Sequence, residues 1–332
     1  MQEKLIFVIS PPRAGSTLLQ RMLGAHSEIF THPEPHLITP LAHLGPYGNV
    51  DKAPFDHINA AEAMRGFIAE LPRGEEDYLD ALRAYADTLY GRMLSTSDRR
   101  RFLDKTPAYA LVLPFLAKLY PRAKYVVLTR HPLAVWSSYA NSFFQGDYAA
   151  AHAFNPILER YVPAMGRFLE ARPLPLCHVA YEDLVSRPEE ELERIFAYLG
   201  LENEPEAVEY GRGPEMKKGL GDPITVQKHS RPVTESVEAW ASELAGVADK
   251  LARARQMIDA IDPAHLETWG WPRERIFEAV ERAGGEAPKK PVLNGYTLQR
   301  RLMLALKKDI QSRPHGKVVR RIKYYCDVLL RE

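Results

Sequence analysis

Two sets of residues in this chain suit the binding of anions, and a third suits the removal of a proton. The first set is Arg13-Ala14-Gly15-Ser16-Thr17, within the run PPRAGSTLL. Gly15 lets the backbone come close to an anion, and Arg13, Ser16 and Thr17 add side-chain donors. The second is Arg130 with Ser138, eight positions on in TRHPLAVWSSY. A planar guanidinium fork and a hydroxyl roughly two helical turns apart suit one phosphate. The third is Glu34 with His36 in HPEPHL, both candidates for a general base. Solvated loop groups with no role are the competing reading of that pair, as a surface ion pair is for Arg130 alone.

These groups need particular elements to hold them. Leu5 to Ile9 is a continuous apolar run, the pattern of a strand buried on both faces of a parallel sheet. Pro11 and Pro12 stop it, and Leu18, Leu19, Met22 and Leu23 then recur at helical spacing. A strand, a small-residue turn and a helix start make an anion site, because the free amides of the first helical turn and the helix dipole face the same point. The P-loop pattern G-x-x-x-x-G-K-[ST] is the obvious comparison. Here Ser10 stands for its first glycine and Ser16 for its lysine, before Thr17. Without that lysine a nucleotide kinase is disfavoured, and a nucleotide with a different terminal group is favoured. A strand-turn-helix that binds nothing is the alternative for this stretch taken alone.

Further buried strands are predicted at Tyr125 to Leu128 and at Leu176 to Ala180. They place Arg130 and Tyr181 just past strand ends, where open α/β sheets bind ligands, and Tyr181 could stack on a nucleobase. Lys105-Thr106-Pro107 closes a short strand and opens a helix. Residues 26–40, with three prolines, read as a loop that can return past the anion site with Glu34 and His36. Residues 77–94 read as an amphipathic helix with Leu79, Leu82, Tyr85, Leu89 and Met93 on one face, and Glu189 to Leu199 as another. Residues 203–234 are rich in Gly, Pro and charge. Lys217, Lys218, Lys228 and Arg231 make them suited to a lid over an anionic ligand, with a plain flexible loop as the equal alternative.

Composition bounds the function. The chain has 332 residues, 45% hydrophobic and 26% charged, enough for one large α/β domain. The net charge of +1 excludes a nucleic-acid surface spread over the whole molecule. From residue 289 onward there are 12 Lys/Arg against 3 Asp/Glu, leaving 32 against 40 elsewhere, so a basic tail follows an acidic body. Such a tail could dock an acidic partner, although a solvated amphipathic helix is the stronger reading. Cys177 and Cys326 show no metal or redox spacing, no signal peptide is visible, and no apolar run approaches the ~20 residues of a membrane span. The expectation is a cytoplasmic protein with no membrane span.

The ordered motifs resemble the sulfotransferases that use 3′-phosphoadenosine-5′-phosphosulfate (PAPS). PPRAGSTLL is similar to that family's 5′-phosphosulfate loop, and TRHPLAVWSSY to its 3′-phosphate motif, with Arg130 and Ser138 at the matching positions. AYEDL is similar to the segment whose tyrosine, here Tyr181, packs on adenine; DKTP and KHSRPV followed by Trp240 also occur there. PEPHL resembles a stretch of the sulfotransferase domains in polyketide assembly lines, which act on a β-hydroxyacyl chain carried by acyl carrier protein. The chain departs from the small-molecule enzymes, which carry a lysine where Arg13 stands and close with a Lys-Gly motif.

The resemblance implies a P-loop-like three-layer α/β sandwich with a central parallel sheet and a helical substrate and lid region. The sulfotransferase domain would span 1–282, with the lid at about 203–234, a linker at 283–291 and a basic helical extension at 292–332. PAPS would be the co-substrate, with no metal, since a singly charged sulfuryl group needs less charge compensation than a phosphoryl group. It implies catalysis by Glu34, His36, Arg13 and Lys105, and donor binding by Arg13, Ala14, Gly15, Ser16, Thr17, Arg130, Ser138, Tyr181, Lys228 and Arg231. A hydroxyl acceptor and acyl carrier protein would be the partners. A small-molecule or peptide-tyrosine O-sulfotransferase, a P-loop-type kinase and a non-catalytic nucleotide-binding module stand as alternatives.

Overall fold

The apolar run at the start of the chain becomes the middle of the sheet. β1 (Leu5–Ile9) is flanked by β3 (Arg101–Lys105) and β4 (Lys124–Thr129), with β2 (Ile29–Thr31) and β5 (Leu176–Ala180) outside them. Every pairing is parallel, with Val8 opposite both Lys105 and Val126, and Thr129 opposite Ala180. All five residues of β1 are buried, as a central strand covered on both faces requires. The computed structural model describes residues 1–45, 47, 55–212, 229–234 and 237–283. Lys228, the linker beyond Ala283 and the basic extension at 292–332 lie outside the described residues.

Helices flank this sheet. In the first half they are α1 (Ser16–Ala25), α2 (Ile38–Leu44), α3 (Phe55–Ala69), α4 (Glu75–Leu94) and α5 (Leu113–Leu119). In the second half they are α6 (Pro132–Phe144), α7 (Tyr148–Phe154), α8 (Ile157–Ala171), α9 (Tyr181–Ser186) and α10 (Pro188–Leu199). α11 (Ala239–Ala245), α12 (Ala248–Asp259), α13 (Pro263–Trp269) and α14 (Glu278–Arg282) follow. The α/β class, the parallel sheet and the strands at 5–9, 125–128 and 176–180 are as the sequence predicts.

Two local expectations need correction. Residues 26–40 are not one loop: Ile29–Thr31 pair with β3 as an edge strand, and α2 begins at Ile38. Only the stretch between them, which carries Glu34 and His36, is irregular. The buried face of α4 is also different. Leu79, Ala86, Tyr90 and Leu94 point inward, while Tyr85 and Leu89 are 54% and 43% exposed. Tyr90 is drawn inward because its hydroxyl donates to the fully buried Asp104 at 2.6 Å, a partner in β3 that helical periodicity does not reveal.

Candidate active site

A parallel sheet brings all its C-terminal strand ends to one side, and the site is assembled there. β1 ends before Ser10, and the chain turns through Arg13 and Gly15, with φ of 70° and 93°, into the start of α1. Gly15 is required twice over. Its backbone is left-handed, and a Cβ there would lie 2.4 Å from the Tyr181 ring. Ser16 is buried in the first turn of α1, whose free amides face the cleft.

The two anion-binding sets meet. Arg13 Nε donates to Ser138 Oγ at 3.2 Å, so the guanidinium of the first set reaches the hydroxyl of the second. Arg130 Nη1 donates to the Arg13 carbonyl at 3.2 Å, and its guanidinium lies 4.2 Å from the centre of the Tyr181 ring. Arg130 is only 8% exposed. Burial pulls its pKa downward, and the neighbouring Arg13 charge acts in the same direction. An anion entering here would offset both effects. The turn carrying Arg130 is clamped from behind: Trp269 Nε1 donates to the Arg130 carbonyl at 2.9 Å, and His131 Nδ1 accepts from the Leu133 amide at 3.2 Å as the cap of α6.

Across the cleft, Lys105 at the end of β3 is almost fully buried and is ion-paired with Glu34. Its Nζ also lies 3.4 Å from Thr17 Oγ1. The other oxygen of Glu34 is 3.5 Å from His36 Nε2. One chain of contacts thus joins the first turn of α1 to Glu34 and His36. The end of that loop is fixed by a buried network. Asp104 accepts from Tyr109 Oη at 3.0 Å and from Thr106 Oγ1 at 2.9 Å, while Tyr109 Oη accepts from the Ile38 amide at 3.1 Å. Burial raises the pKa of Asp104 against these hydrogen bonds, which favour its charged form.

These groups surround a cavity of about 470 Å³, lined by Arg13, Gly15, Ser16, Thr17, Glu34, His36, Arg130, Ser138 and Tyr181. That size is ordinary for a small-ligand site. Arg231 is not brought to it. Its half-exposed guanidinium pairs with Glu189 and, at 3.3 Å, with Glu209, while its neighbours Pro232 and Val233 do line the cavity. Phe143, Tyr161, Tyr210 and His229 also line it and were not singled out from the sequence as site residues. Only His229, inside KHSRPV, sits in a motif that could have flagged it. Among the described residues, no group of three or more His, Cys, Asp or Glu could hold a metal ion, and no helix is long and apolar enough to cross a membrane.

The model of the family described as "Sulfotransferase family" matches residues 6–205, more than half of the chain. The chain belongs to the sulfotransferase family. Among curated relatives, this sulfotransferase is 29% identical over 266 residues to the nodulation protein NoeE of Sinorhizobium fredii, covering 72% of this chain and 60% of that one. It thus spans less than two thirds of that relative's length. Among solved structures, it is similar to the sulfotransferase domain from the Synechococcus PCC 7002 olefin synthase, at 25% identity and a TM-score of 0.50, covering 78% and 94% of the two chains. The sulfotransferase domain from the curacin biosynthetic pathway matches at 24% identity and a TM-score of 0.50, covering 76% and 96%, which bears on the fold. Sulfotransferases as a family use PAPS as donor and a hydroxyl group as acceptor.

Proposed function

We propose that this sulfotransferase moves the sulfuryl group of PAPS to a hydroxyl that lies two carbons from a carbonyl, on a β-hydroxyacyl chain delivered by acyl carrier protein. One observation carries the reading: two arginines, a helix start and a carboxylate–imidazole pair converge on one cavity. Arg130 and Ser138 hold the 3′-phosphate under this reading. The turn amides from Ala14 onward, with Gly15, Ser16 and Thr17, hold the 5′-phosphate, and Arg13 spans both. Tyr181, packed under Arg130, forms one side of the adenine pocket.

The acceptor oxygen attacks sulfur in line, and the bond from sulfur to the 5′-phosphate oxygen breaks. Its electron pair stays on the phosphate, where Arg13 and the first-turn amides stabilise it. The hydroxyl proton passes to the Glu34–His36 pair. Lys105, between Thr17 and Glu34, holds the carboxylate in place and faces the transferred group. The choice of acceptor rests on the likeness of PEPHL to assembly-line sulfotransferase domains, supported by the similarity to the olefin synthase domain. We further assign catalysis to residues 1–282, with 203–234 as a lid, 283–291 as a linker and 292–332 as a basic extension. The cysteine usage favours a cytoplasmic setting.

The test is calorimetry with 3′-phosphoadenosine 5′-phosphate (PAP), followed by turnover with PAPS on a 3-hydroxyacyl carrier protein and on free alcohols. R130A should weaken PAP binding by roughly 10- to 100-fold, the worth of a charged hydrogen bond. R231A, whose side chain is engaged with two glutamates, should weaken it less. Absence of PAP uptake overturns the donor assignment. Turnover on free alcohols that matches the carrier-bound chain overturns the acceptor assignment.

A further inference from the structure

Most polar side chains that line the cavity have a partner in the protein. Tyr161 differs. It lies on α8, is 95% buried by its 5% exposure, and lines the cavity together with Glu34 and His36. Its hydroxyl has no hydrogen-bond partner among the described residues. The residue is buried, but its oxygen is not sealed off, so it can meet what enters the cavity. The backbone around it is rigid: α8 packs on α13 and on the turn that follows β3, and a Cβ on Gly166 would come within 2.9 Å of His265. Tyr161 is thus a fixed part of the cavity wall, which also includes apolar Phe143, Pro107 and Ala108.

The chemistry of such a group is narrow. Burial, opposed by Arg160 and reinforced by Tyr139 and the Glu34 charge, pushes its pKa up to about 12, so it stays a neutral donor at working pH. The contribution of Glu34 also places the phenol within electrostatic reach of the proposed base. The acceptor's reacting hydroxyl gives its proton to Glu34–His36. A second contact from a fixed O–H then suits an oxygen on the same molecule that only accepts.

We propose that Tyr161 is the specificity residue of the acceptor site, its hydroxyl donating to the carbonyl oxygen that lies two carbons from the hydroxyl being sulfated. This rests on the β-hydroxyacyl reading and extends it. The residue selects acceptors with a carbonyl near the reacting oxygen over plain alcohols, because a carbonyl satisfies the phenol and a methylene in its place leaves it unmatched.

The experiment compares wild type and Y161F on two free acceptors of equal chain length, a 3-hydroxyacyl N-acetylcysteamine thioester and the corresponding saturated alcohol. The wild type should prefer the thioester in kcat/KM, and Y161F should lower that preference about tenfold, chiefly through KM for the thioester. Thermal stability should not fall, since the hydroxyl has no partner to lose among the described residues, and PAP affinity reports that the donor side is intact. An equal loss on both acceptors, or a preference unchanged in Y161F, overturns the role of Tyr161 and leaves the acceptor reading standing. A wild type that binds PAP but prefers the saturated alcohol, or uses neither, overturns the acceptor reading and this inference with it.

Discussion

Replacing His131 with asparagine should flatten the acid side of the stability curve. His131 is 3% exposed, stacked on Trp240 with ring centres 4.2 Å apart and edge-on to Trp271 at 4.3 Å. Burial, with the adjoining Arg130 charge adding to it, pulls its pKa from 6.5 down to about 3. In the unfolded chain the same imidazole takes a proton near pH 6.5. Between those values the unfolded state binds one proton more than the folded state. The stabilisation is therefore complete above pH 6.5 and is lost as pH falls, by about 1.36 kcal/mol per unit. At pH 4.5 the loss is about 3 kcal/mol, a large share of the 5–15 kcal/mol typical of a folded domain. Asparagine keeps the cap to the Leu133 amide and cannot titrate. Urea unfolding of wild type and H131N from pH 7.5 to 4.5 reads the effect. H131N starts from a lower plateau, since it loses the ring contacts, but its curve should fall less steeply by up to one proton. Parallel curves for the two proteins would refute the claim that His131 is folded in its neutral form.

Three sets of substitutions probe other parts of the site. G15A introduces a Cβ 2.4 Å from the Tyr181 ring at a φ of 93°, and should cost about 2–3 kcal/mol on denaturant unfolding and at least about tenfold in PAP affinity. K105M removes the ammonium from a pair with both members largely buried, and should cost about 3–5 kcal/mol; adding E34Q should recover part of that, and strictly additive losses would show that the two do not interact. H36N should keep the melting temperature, because asparagine tolerates the left-handed backbone at φ 51°, whereas H36V should lose at least about 1 kcal/mol. Both should lose turnover.

The parts of the fold legible from sequence are those in which burial writes itself into composition. β1 and β4 are covered on both faces, so they appear as apolar runs, and the turn and Arg130 follow from where those runs stop; β5, at the sheet edge, is buried only at alternate residues. β2 is different. Ile-Phe-Thr is too short to show a period and exists because β3 offers it an edge. α4 misleads because Leu89 and Tyr85 look like core residues, while the inward face is set by small Ala86 and by the bond from Tyr90 to Asp104. The direction of a long side chain is also invisible. From sequence Arg13 belongs to its own turn, yet its guanidinium crosses to Ser138, 125 positions away in the chain. Tyr161 belongs to no motif. Its relation to Glu34 comes only from the packing of α8 against the sheet end.

Among the described residues, four non-glycine residues have a left-handed backbone, and they divide by purpose. Gln145 and Arg172 close α6 and α8, a position where this conformation serves to end a helix. Arg13 and His36 end no helix, and both line the cavity. A residue held in that region costs on the order of 1–3 kcal/mol, which glycine would avoid. A turn that only had to reverse the chain would carry glycine, as the neighbouring position 15 does. At 13 and 36 the chain retains a guanidinium and an imidazole in spite of the cost. The strained backbone is therefore concentrated, outside helix ends, at two residues whose side chains line the cavity, and it supports the proposed site independently of any likeness to other proteins.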